Sequence, residues 1–115
     1  MAYQHTNNLE LAIQCYRKVL SVDPTCEITL NNLGFAQAKN EEWEGAIKCY
    51  KKAIEIDPNY SIVYDNLTKI AWDKVSQFVL QETMVFLGGR YPQTAKVTRT
   101  LEALRLEYER KIDNS

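Results

Sequence analysis

One phrase is written twice in this chain. Residues 12–25 read AIQCYRKVLSVDPT and residues 46–59 read AIKCYKKAIEIDPN, identical at seven of fourteen positions. The three prolines, Pro24, Pro58 and Pro92, stand 34 residues apart at both intervals. Self-similarity at a fixed period of this size marks a stacked repeat, in which each unit buries its apolar face on the next. That period restricts the fold more than any compositional figure does.

Inside one period, residues 27–60, the pattern divides into two helical stretches. Leu30, Leu33, Gly34 and Gln37 belong to the first, which breaks near Lys39 and Asn40. The second runs from about Glu42 to Ile56, with Trp43, Ala46, Ile47, Tyr50, Ala53 and Ile54 recurring on one helix face. Asp57-Pro58 ends it, because the proline ring clashes with a continuing helix and restricts the residue before it. Gly34 and Ala46 are small where two antiparallel helices must approach closely, and Tyr50 is the bulk that fills the space beside them.

Leu30-x2-Leu33-Gly34-x2-Gln37, followed by Ala46-x3-Tyr50 and Pro58, closely resembles the tetratricopeptide repeat, a 34-residue helix–turn–helix unit. Leu30 and Gln37 depart from the Trp and Tyr more usual in that family, and Gln37 is expected to loosen one packing contact. The resemblance implies an all-α fold, a right-handed α-α superhelix (α-solenoid) of antiparallel helix hairpins. On this reading the chain is a single domain: a partial first repeat over residues 1–26, a full repeat over 27–60, a degenerate one over 61–94 and a capping helix over 95–115.

In the partial repeat, Ala12, Tyr16 and Pro24 match a second helix, while residues 1–6, with Tyr3, supply only the last turn of a first helix. In the degenerate repeat, Thr68 replaces the glycine and Leu80 the alanine, so its two helices are expected to stand farther apart or to cross at a changed angle. Gly88-Gly89 fits a left-handed helix termination. Beyond Pro92, Val97, Leu101, Leu104 and Tyr108 form the stripe of one amphipathic helix, about Gln93–Lys111, suited to capping an array.

Composition excludes several classes of function. Fourteen basic and fifteen acidic residues give a net charge of −1, with no basic stripe for nucleic acid. No apolar run approaches the ~20 residues of a membrane helix, and the start MAYQHTNN is no signal peptide. Three cysteines without CxxC spacing, and no signal peptide, point to a reduced intracellular, cytoplasmic setting. His5 is a lone histidine, and no His or Cys spacing suits a metal. Cys15 and Cys49 recur at equivalent helix positions and read as small, semi-buried apolar residues. Neither a catalytic constellation nor a cofactor-binding motif is present. An enzyme is not expected.

What the resemblance implies instead is a protein–protein interaction module, a scaffold or adaptor. Its concave face, lined by the first helix of each unit, holds a partner peptide or helix. By repeat alignment the groove-facing residues include Asn31, Asn32, Phe35 and Lys39 on the second unit and Asp65, Asn66, Lys69 and Trp72 on the third, flanked by Ile28, Ala38, Ile62 and Asp73. Asn32 and Asn66, one period apart, resemble the asparagine ladder of O-linked N-acetylglucosamine transferases, in which amides bracket a peptide backbone. Trp72 is equally placed to plug the gap beside Leu80. The carboxylate clamp of heat-shock co-chaperones is not matched: Ile62 and Asn66 stand where its Lys and Arg belong, so a peptide ending in Glu-Glu-Val-Asp is not expected to bind.

A different role is structural: a C-terminal segment of a longer array that caps or dimerises without its own ligand. Leu9, Ile13, Tyr16, Val19 and Leu20 form an apolar stripe on the first unit that no complete first helix covers. That stripe is expected either to be covered by upstream repeats of a longer chain or to serve as a homodimer edge that pairs with a second copy.

Overall fold

A computed structural model describes residues 2–90 and 94–113, the side chains of residues 2–7 and 90 excepted. Among the described residues the chain is all-helical, a helical-repeat solenoid of six helices and one 3₁₀ turn. The helices are α1 (Ala2–Val22), α2 (Glu27–Lys39), α3 (Trp43–Ile56), α4 (Ile62–Thr68), α5 (Gln77–Arg90) and α6 (Ala95–Asp113), with the 3₁₀ turn over Trp72–Lys74. The expected break at Asn40 and the stop at Asp57 both fall at helix ends.

The repeated Asp-Pro does one job in two places. Asp23 Oδ1 accepts the Thr25 backbone N–H at 3.2 Å, and Asp57 Oδ1 accepts that of Asn59 at 3.1 Å. Each aspartate forms the turn that the following proline makes rigid.

α2 is the central element, packed against both α1 and α3. That is why Thr29, Leu30, Asn31, Leu33, Gly34, Ala36 and Gln37, on several sides of one helix, are all buried. A Cβ added at Gly34 would lie 2.6 Å from Cε1 of the buried Tyr50 ring, so the glycine sets how closely α2 and α3 approach. Gln37 is not a loosened contact. It is buried against Gly45, and its Oε1 accepts the Cys49 thiol at 3.2 Å.

Residues 2–6 do not form the end of a separate helix; they continue α1 without a break. The stripe read as an open edge is partly covered within the chain. Ile13 is buried with Leu33 and Ala36, and Leu9, Tyr16 and Leu20 pack on that cluster, because α2 lies across this side of α1. Of those edge residues only Val19 is exposed.

The third unit departs furthest from the pattern. α4 ends after seven residues, and it packs chiefly on α3 and α6, while α5 packs on α6. Leu80, which replaces the small residue, is fully buried. The chain after Thr68 tightens into the 3₁₀ turn, which seats the Trp72 indole in the core. Its Nε1–H donates to the Leu67 carbonyl at 3.0 Å, satisfying an acceptor at the end of α4. α6 lies against α4, α5 and the 3₁₀ turn, burying Val97, Thr100 and Leu104 with Leu101 and Tyr108 beside them. Gly88 and Gly89 lie inside α5, and no described glycine has positive φ, so the expected left-handed termination is not made there. Pro92 lies outside the described residues, as does the side chain of His5.

Candidate peptide-binding face

α2 and α4 are the first helices of successive units, and between them the surface opens into a recess of about 260 Å³. Phe35 and Lys39 come from α2, Trp43 and Tyr50 from α3, and Asn66 and Lys69 from α4 and its C-terminal cap. Five residues expected on a groove thus share one site: Phe35, Ala38, Lys39, Asn66 and Lys69. The aromatic rings of Phe35, Trp43 and Tyr50 give the recess an apolar lining. The Lys39 ammonium lies 5.2 Å from the Phe35 ring centroid, held by the negative face of the ring. Lys69 is exposed at the rim. Ile28, Phe35 and Ile62 leave apolar surface exposed on α2 and α4, where a buried helix face would be covered.

The other expected residues are placed differently. Asn31 is buried and its Oδ1 accepts the Asn66 Nδ2–H at 2.9 Å, tying α2 to α4. Asn32 is exposed and does not pair with Asn66. A 34-residue period fixes which residues are equivalent, not which ones touch. Neighbouring helix axes stand about 8–10 Å apart, too far for two short amides unless both lean across. Of the two amides expected to bracket a peptide backbone, Asn32 is exposed, while Asn66 is buried with its Nδ2–H on Asn31. Asp65 is exposed, and the Lys96 ammonium of α6 binds its carboxylate at 2.8 Å, outside the recess. Trp72 is core, as its hydrogen bond to Leu67 requires.

Trp43 and Tyr50 are legible in the sequence only as packing residues; Trp43 is half-buried at the recess and the buried Tyr50 ring lies beneath it. Burial, with the neighbouring Cys49, pushes the Tyr50 phenol well above its ordinary range, and burial raises the Cys49 thiol to about 11 against the pull of Arg17 and Lys52. Both are neutral near pH 7, so the fixed charges of the recess are its two lysines. No group of three or more His, Cys, Asp or Glu among the described residues is placed to hold a metal ion. No described helix is long and apolar enough to cross a membrane.

Family models for the tetratricopeptide repeat match residues 1–26 and residues 28–60. No curated protein matches the chain. Repeats of this family mediate protein–protein interaction, and the family is typically non-enzymatic. The matched residues include the Gly34–Tyr50 hairpin and the turns at both Asp-Pro pairs, and they span just over half of the chain, which belongs to the tetratricopeptide repeat family.

Proposed function

We propose that this chain is a non-enzymatic interaction module that holds a peptide segment of a partner protein along the face shared by α2 and α4. The observation that carries this reading is the recess where an aromatic lining meets two lysines at one edge. An apolar side chain would gain by leaving water against Phe35 and Trp43, and rigid aromatic anchors of this kind dominate interface energies. Lys39 and Lys69 favour carboxylates beside that anchor. Asp65, the nearest acid of α4, is already engaged by Lys96. The partner segment is thus an apolar residue flanked by Asp or Glu.

Phe35 and Lys69 are both exposed, so replacing them leaves the core intact. Phe35→Ala combined with Lys69→Glu is expected to weaken capture of a bound partner at least tenfold, with circular dichroism unchanged. Phe78→Ala, on the exposed surface of α5, is the matched control. Undiminished capture by the double variant would remove the recess from the account.

A further inference from the structure

A second recess, of about 470 Å³, opens on the other side of α2. At about 100° per residue, Leu30, Leu33 and Gln37 fall on one side of that helix, roughly opposite Phe35 and Lys39. With Leu20 of α1 and Gly45 and Cys49 of α3 they form the floor, and the exposed Lys48 and Lys52 of α3 stand at the mouth. Two of the floor residues are the places where the sequence departs from the repeat pattern. Leu30 and Gln37 stand where Trp and Tyr are more usual, and each is smaller than the ring it replaces. The recess thus lies where this sequence has given up bulk that the general pattern keeps.

Gln37 gives the recess its chemistry. It is 6% exposed, and its Oε1 accepts the Cys49 thiol at 3.2 Å. Its Nε2 has no hydrogen-bond partner among the described residues, and none of their side-chain nitrogens or oxygens is both fully buried and unpaired. The amide N–H groups therefore open onto the recess. Lys48 stands one helical turn from Gly45, against which that amide lies. Neither Lys48 nor Lys52 binds a carboxylate among the described residues, and no Asp or Glu lines the recess. The positive field reaches the floor: burial raises the Cys49 thiol, and Arg17 and Lys52 pull against it.

The lining side chains thus offer apolar surface, donors and positive charge, while their one carbonyl oxygen, on Gln37, is already engaged. A peptide or an alcohol would bring N–H or O–H groups and find no free acceptor among those side chains. A carboxylate only accepts. We infer that this recess binds a fatty acid, its carboxylate on the Gln37 amide and Lys48 and its hydrocarbon on Leu20, Leu30 and Leu33. Small-molecule sites of this kind, mostly apolar with a few placed polar groups, span ~300–1,000 Å³. The site is separate from the recess between α2 and α4, and neither depends on the other.

The probe is decanoate, titrated calorimetrically into the full chain below its micelle-forming concentration, with the Gln37 side-chain amide signals followed by NMR. One decanoate per chain is expected, with those signals shifting in step with the heat. Decanol should bind at least tenfold more weakly. So should decanoate to Lys48→Glu/Lys52→Glu, changed at two exposed positions, with circular dichroism unaltered. Leu30→Trp with Gln37→Tyr restores the more usual rings, fills the space and should abolish binding with helicity kept. Lys39→Glu/Lys69→Glu should bind decanoate as the wild type does. Absence of saturable binding overturns the inference, as does equal binding of decanol, or of decanoate by the charge-reversed or refilled chain. So does tighter binding of a leucine-ended peptide, or a doubled sedimentation mass that decanoate halves, since the occupant would then be a chain end or a second copy.

Discussion

Glu41 occupies a backbone site built for glycine. Its φ is 60°, its N–H bonds to the Ala38 carbonyl, and the Glu42 N–H bonds to that of Gln37 at 2.8 Å. This is the paired hydrogen bonding that closes a helix through a left-handed residue, usually glycine. A side chain there costs roughly 1–2 kcal/mol, and glycine returns part of that as extra freedom of the unfolded chain. Glu41→Gly is therefore expected to stabilise the fold by about 0.5–1 kcal/mol, a rise of a few degrees in Tm by calorimetry.

Cys49 and Tyr50 make stability depend on pH in one direction. Both groups hold their protons more tightly when folded, from ordinary values of 9.0 and 10.0. Below pH 9 both states keep the protons and the contribution is complete. As pH rises from 9 through about 11, the unfolded chain releases the Cys49 proton first and the folded state loses ground. Urea midpoints should fall across that window, and fall less in Cys49→Ala. A wild-type midpoint no more sensitive than the variant's would contradict the burial effect.

At the scale of elements, the fit of the third unit's two helices turns on two exchanged sizes. Gly34 and Ala46 let α2 and α3 close as a hairpin. Thr68 and Leu80 stand at the same positions one period later, and there the first helix stops short. Those exchanges were legible as a disturbance, and its form was not. Residue volumes announce that two helices cannot approach and offer Trp72 as a plug for the gap, but not that its indole will donate to Leu67. Removing that indole leaves a cavity between α4 and α6 and an acceptor without its donor. Trp72→Ala should cost about 3–5 kcal/mol in denaturant unfolding, against well under 1 for Phe78→Ala at the exposed surface.

α1 shows the same limit from another side. Its period with α3 identified the helix, while the covered face could be assigned only once α2 was seen against Ile13. Periodicity reports that a helix has apolar faces. It does not report which neighbour reaches which face.

Across the whole molecule, a near-neutral chain places its charge locally. The net charge is −1, yet Lys39 and Lys69 share one recess while Asp65, from the same helix face, is held by Lys96. The repeat predicted that Phe35, Lys39, Asn66 and Lys69 would share a surface, since one helix position per unit faces one side of a stack. It could not say that Asn66 would turn to Asn31, because a hydrogen bond depends on ångström-scale helix offset and not on period.

A selection of random displayed peptides on the full chain tests most directly whether this recess is a recognition site. Enriched peptides should pair an apolar residue with a neighbouring Asp or Glu. They should bind Lys39→Glu/Lys69→Glu at least tenfold more weakly at unchanged helicity, and weaken as salt is raised. Failure to enrich any peptide, or enriched peptides that bind the charge-reversed chain equally well, would contradict it.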